Sequence, residues 1–106
     1  MFKIVITIVA EADIDEAFEW WREHRSREQA DRWYRGIVPA IQSLSQSADR
    51  RPRAKEADRL GVDIREFYFG IGLKPTHRVI FIIEHDAVKV LRVRHLSRGS
   101  LQLSDL

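Results

Sequence analysis

No cysteine occurs in the 106 residues, so neither a disulfide framework nor a thiolate metal site is available. That absence suits a reducing compartment, and a cytoplasmic location is expected. The motifs of cofactor and metal enzymes are missing too: no G-x-G-x-x-G, no phosphate-binding loop, no H-E-x-x-H, no nucleophile elbow and no Cys/His cluster. No cofactor and no metal are therefore expected. Long apolar runs are also lacking. The one in "MFKIVITIVA" is seven residues long and leads straight into Glu11 and Asp13. It is too short for a membrane span or a signal peptide, and it reads as a first β-strand. No membrane partner is expected. Internal repeats and low-complexity segments are absent, and the length fits one domain over residues 1–106.

Net charge is scarce as well, at +2, but its distribution is uneven. Glu11 to Asp31 holds eight acids against three arginines, a balance of −5. Lys74 to Arg98 holds six bases against two acids, a balance of +4. One acidic surface and one basic surface follow, without naming what either meets.

What is present is a sequence of well-marked elements. "FKIVITI" is rich in β-branched residues and reads as a strand. Asp13-x-x-Glu16 has the form of a capping box, so a helix is expected to open at Asp13, with Ile14, Ala17, Phe18 and Trp21 as its apolar stripe. Ser26-x-x-Gln29 repeats the signal for a second helix, whose stripe is Trp33, Ile37, Ile41 and Leu44. So short a connection makes the two a helical hairpin. Pro39 removes a backbone donor and Gly36 weakens the same turn, which predicts a kink or break over Arg35–Pro39. "SADRRPRAKEADRLG" reads as a loop, and "IREFYFG", "HRVIFII" and "VKVLRVR" read as three strands. The order β-α-α-β-β-β defines an α+β domain, a helical hairpin packed on a twisted antiparallel sheet.

The strand "VLRVRHLSR", Val90 to Arg98, starts apolar and ends in three arginines, a histidine and a serine. A two-residue turn at His85 and Asp86 would set Glu84 against Ala87. Strict alternation then puts Arg78, Ile80, Ile82, Leu91 and His95 on one open face. Val79, Phe81, Val88 and Val90, followed by Arg92 and Arg94, face the helices. On this register Arg78 and His95 are diagonal neighbours, and Ile80, Ile82 and Leu91 form an apolar surface suited to a partner carrying apolar residues and acids. Arg78 also has Glu66 or Glu84 within reach as an ion-pair partner, and Arg92 and Arg94 have the acids of the first helix.

The ordered set "DIDEAFEWW", "ADRWYRGIVPAIQSL", "LGVDIREFYFG", "HRVIFII" and "VKVLRVRHLSR" resembles the RelE/ParE superfamily, the toxins of type II toxin–antitoxin modules. The likeness runs from Val5 to about Leu101. It implies a toxin of the plasmid-stabilisation type, bound by a cognate acidic antitoxin that wraps an extended or helical segment around it. Within that superfamily, RelE-like members cleave messenger RNA on the ribosome without metal, and ParE-like members poison DNA gyrase. The resemblance to the RelE-like branch implies catalytic roles for Arg78 in "HRVIF", for Arg65 in the preceding strand and for His95 near the strand end. It also implies substrate contacts for the loop bases Arg53 and Lys55, with Arg94 and Arg98 completing an anion site. No tyrosine follows Tyr68, which departs from that branch. Metal-free RNA cleavage needs an acid, a base and cations around one phosphate. Histidine and arginine supply those functions, so an endoribonuclease is the leading expectation, a gyrase inhibitor the second, and a decayed toxin kept as an antitoxin-binding module the third.

Overall fold

The computed structural model describes all residues from Met1 to Leu106. The elements are β1 (Lys3–Ile6), α1 (Ile8–His24), α2 (Arg27–Gln42), α3 (Leu44–Ser47), α4 (Ala57–Leu60), β2 (Arg65–Phe69), β3 (His77–Glu84) and β4 (Ala87–His95). Single 3-10 turns cover Ala48–Arg50 and Leu103–Asp105. The strands form one sheet in the order β1-β4-β3-β2. The expected α+β architecture is therefore present, with one difference. β1 pairs with β4 in parallel while the other pairings are antiparallel, so the sheet is mixed.

The helical hairpin packs on one face of the sheet. Ile14 and Trp21 of α1, and Trp33, Ile37 and Ile41 of α2, join Val79, Phe81, Val88, Val90 and Val93 in the main core, with Leu44 following α2. Every member of the second helix's predicted stripe is fully buried. Ser26 caps α2 as its spacing predicts, its Oγ accepting the Gln29 N–H at 3.1 Å.

The start of α1 differs from expectation. Thr7 is the cap, accepting the Ala10 N–H at 3.1 Å, so the helix opens at Ile8 and Asp13 lies within it. Thr7 competes successfully because β1 ends at Ile6, and its hydroxyl also donates to the Leu91 carbonyl at 3.3 Å. Pro39 does not break α2, which runs continuously to Gln42. Gly36 is required there for space: a Cβ would stand 2.6 Å from Cζ of Phe69.

The β3–β4 turn falls at His85 and Asp86, and Glu84 opposes Ala87 as expected. His85 takes a left-handed φ of 57°. The register then slips. Phe81 faces Val90, but Ile80 faces Arg92, so Leu91 is the extra residue of a β-bulge. Beyond it, Val79 pairs with Val93, Arg78 with Arg94 and His77 with His95. The strict alternation predicted for the strand end is thus inverted. Val93 and His95 take the helix side, and Arg92 and Arg94 shift to the other register position, although Arg92 still reaches round the strand edge to Asp13, one of the first-helix acids expected to meet it.

The opposite face of the sheet is not open. Ile80 is fully buried in a second core with Ala54, Ala57, Ile64 and Leu101, and Ile82 and Leu91 pack half-buried at its border. The cover consists of the loop before β2, α4 and the segment after β4. The loop adds a short extension to the sheet edge through an Arg53–Arg65 bridge.

Candidate functional site

The inversion at Leu91 creates a cleft of about 300 Å³ between α1 and the end of β4. Asp13, Glu16 and Trp20 line it from the helix, and His77, Arg92 and His95 from the sheet. Arg98 stands at its border with its side chain 58% exposed, and its guanidinium is 3.8 Å from Glu16. His77 and His95 meet edge to face at 5.0 Å between ring centres. Trp33 packs against His77 at 4.9 Å, and Trp20 lies 6.4 Å from His95.

The two histidines differ in what their rings can offer. His95 Nδ1 accepts the Ser97 N–H at 2.9 Å, so the proton of the neutral ring sits on Nε2. His77 is buried, with Nδ1 2.8 Å from the Thr76 hydroxyl. Burial first, and then the neighbouring His95, push its pKa down to about 4. His77 is therefore neutral at pH 7.

The cleft's arginines are largely engaged. Arg92 makes a two-pronged contact to Asp13 at 2.7 and 3.0 Å, and the same carboxylate accepts the Val93 N–H at 3.0 Å. Asp13 thus replaces a strand partner along the part of β4 that β1 does not reach. The acid read as a helix cap is instead a tie between helix and sheet edge. Arg94 donates to the Gly99 carbonyl at 3.1 and 3.3 Å.

The three predicted catalytic residues are not brought together. Arg78 lies on the opposite face from His95 and is 4% exposed. Its guanidinium donates to Glu66 at 2.7 Å and to both oxygens of Glu56 at 3.0 and 2.5 Å. Glu84 takes no part in this cluster and pairs instead with Lys89. Glu56 is 2% exposed and also accepts the Leu101 N–H at 2.9 Å. Burial works to raise its pKa, but the bonds from Arg78 and Leu101 outweigh it and hold the carboxyl at about 2. Arg65 donates to the Arg51 carbonyl at 2.6 Å and so closes the loop before β2.

Of the predicted substrate contacts, Arg53 pairs with Asp58 and Asp63, both at 2.8 Å, and Lys55 is exposed in the same loop. Ile80, expected on an open antitoxin face, is buried by the chain's own cover. Sequence reasoning missed Glu56, which sits in a segment read as solvated loop. A signal was available: Ala54, Ala57 and Leu60 recur every three residues, the mark of a short helical turn with one buried side.

The fold belongs to a class, the small α+β toxins of the RelE/ParE superfamily. The family model for the ParE toxin of the type II toxin–antitoxin system parDE matches residues 4–99, and the chain belongs to that family. Among solved structures, a chain of the chromosomal ParDE TA system from P. aeruginosa is similar, with a TM-score of 0.75 at 19% identity. The match covers 92% of this chain and 98% of that one. No curated protein sequence matches significantly. No helix is long and apolar enough to cross a membrane.

Proposed function

We propose that this chain is the growth-inhibiting toxin of a toxin–antitoxin module, that it acts by binding DNA gyrase, and that a cognate antitoxin neutralises it. Membership of the ParE family supports the toxin role. The observation that favours binding over messenger RNA cleavage is the state of Arg78, whose donors are spent on Glu56 and Glu66 in a water-excluded cluster. A guanidinium committed to two carboxylates cannot turn to a phosphate without leaving both buried and unpaired. His95 has no free arginine of β3 beside it. The His77–His95 cleft, with Trp20 and Arg98 at its border, is the surface offered to the target.

The test is induced expression without antitoxin, with gyrase-linked DNA breaks and messenger RNA 5′ ends mapped in the same cells. Accumulating breaks with an undisturbed RNA end profile are expected. Ribosome-phased RNA cuts without breaks would overturn the reading in favour of a nuclease.

A further inference from the structure

The hydrogen bonds along the outer edge of β4 change parity where α1 begins. β1 reaches only to Ile6, opposite Val90. Up to there the groups that face this edge belong to alternate residues. The carbonyls of Asp86 and Val90 accept the N–H of Lys3 at 2.8 Å and of Thr7 at 3.1 Å. Strict alternation would next offer the Arg92 N–H to the edge. The strand offers the Val93 N–H instead, and Asp13 accepts it at 3.0 Å. Leu91, the extra residue of the bulge, turns its carbonyl the same way, and the Thr7 hydroxyl donates to it at 3.3 Å. A bulge leaves its extra residue unpaired in the ladder. Here Thr7 and Asp13 span it from outside, with contacts at Val90, Leu91 and Val93.

We infer that Asp13 is a positioning residue of the target-binding cleft: by taking the Val93 N–H it fixes the extra residue at Leu91 and so turns His95 to His77. The clamp stands on the contacts above, and its bearing on the target rests on the reading of the cleft as the binding surface. The Asp13–Val93 bond exists only in the bulged register, because without the extra residue the Val93 N–H would point inward to β3. Every residue after Leu91 takes its face from that choice. Val79 meets Val93 and His77 meets His95 on the helix side, and the two rings come to 5.0 Å between centres. An unbulged strand would instead set His95 opposite Thr76 and carry Arg92 and Arg94 to the helix side. Burial of Val93 favours the bulged register as well, but burial cannot satisfy an outward N–H. Left without an acceptor, that group would make the bulged register the costlier one. Asp13 supplies the acceptor, and its two-pronged contact with Arg92, at 2.7 and 3.0 Å, holds the carboxylate in place.

The test uses the full chain and NMR of the histidine rings. Asp13→Leu keeps the bulk of the side chain and removes the acceptor. It should lose the ring contact between His77 and His95, and the His77 pKa should rise from about 4 towards 6.5 as its cover leaves. Asp13→Asn keeps an acceptor for the Val93 N–H without the charge, and it should keep both the contact and the lowered pKa. Deleting Leu91 from the Asp13→Leu chain should restore them, because the observed pairing of His77 with His95 then needs no bulge. A folded Asp13→Leu protein with its rings in contact and His77 still near 4 would overturn the clamp. Should Asp13→Leu not fold, Asp13→Asn decides alone. Separated rings or an unfolded chain in that variant would mean that Asp13 acts through its charge and not through the Val93 N–H. Gyrase-linked breaks on induction should disappear with the ring contact in Asp13→Leu and return with the Leu91 deletion. Breaks that persist with the rings apart would strike the cleft as the target surface and leave the clamp standing, so the two readings fail separately.

Discussion

Arg78→Ala separates a structural cation from a catalytic one. In the wild-type chain one guanidinium serves two carboxylates, and Arg78, Glu56 and Glu66 are 4%, 2% and 6% exposed. An exposed cross-sheet pair would contribute about 1 kcal/mol or less. Removing the sole cation from a buried cluster instead leaves uncompensated charge and costs about 3–5 kcal/mol. A domain of this size has roughly 5–15 kcal/mol in total, so the variant should sit near its folding threshold.

The pH dependence gives a second signature. With Glu56 held near 2 against an ordinary 4.5, the wild-type cluster contributes stability that is fully present above pH 4.5 and is lost as pH falls through 2. Without Arg78, burial still disfavours the charged carboxyl, and its pKa moves above the ordinary value. The folded variant then takes up protons that the unfolded chain does not, and its deficit against wild type should narrow as pH falls from 7 towards 5. Urea unfolding of both proteins at pH 7 and pH 5 measures this. A deficit under about 1 kcal/mol, or one that is the same at both pH values, would refute the argument. Arg78→Met combined with Glu56→Gln and Glu66→Gln should recover most of the loss, since neutral groups need no counter-charge. If that stable triple variant still stops growth, Arg78 is not catalytic.

Three other perturbations follow from single contacts. His77 has a pKa lowered to about 4 from 6.5, so its contribution is intact above pH 6.5 and erodes as pH falls through 4. The wild-type chain should lose about 2 kcal/mol from this group between pH 7 and pH 5, and His77→Phe should flatten that part of the melting profile. Thr7→Ala removes the cap of α1 and should cost about 1 kcal/mol, with faster amide exchange at Ala10. Gly36→Ala should destabilise by about 1–3 kcal/mol despite alanine's better helix propensity, because its Cβ meets Phe69. Adding Phe69→Leu should recover part of that loss, and calorimetric melting of the single and double variants checks it.

Where the sequence carried a local and redundant signal, the fold was legible in it. The α2 stripe and the Ser26 cap need only neighbours within one or two turns, and both are as read. The hairpin at His85–Asp86 was legible too, since a short polar break between two β-branched runs leaves few registers. Three features were not legible, each because a distant partner decides it. The parallel pairing of β1 depends on where the chain returns 84 residues later, with Lys3 opposite Ala87, not on the composition of Lys3–Ile6. The capping-box form at Asp13 lost to Thr7 because Asp13 is claimed by Arg92 and the Val93 N–H across 79 and 80 residues of sequence. The burial of Glu56 needs Arg78 and Leu101 together, and neither is near it in the chain.

The bulge at Leu91 explains why the candidate site was harder to read than the fold. One inserted residue changes no composition and barely disturbs a hydrophobic pattern, but it exchanges the faces of everything that follows. With strict alternation, Arg78 and His95 would share a face and could act on one phosphate. With the bulge, His95 joins His77 and Trp20 against the helices, and Arg78 turns to Glu56 and Glu66. A trace of it was present in the spacing of Val88, Val90 and Val93, where the valine interval lengthens from two to three. The arginines of "VLRVRHLSR" consequently serve two surfaces. Arg98 borders the histidine cleft, while Arg92 and Arg94 hold the Asp105 end of the segment that closes the opposite face. The basic strand end is one stretch of sequence, but in space its side chains are divided between the histidine cleft and the cover of the opposite face.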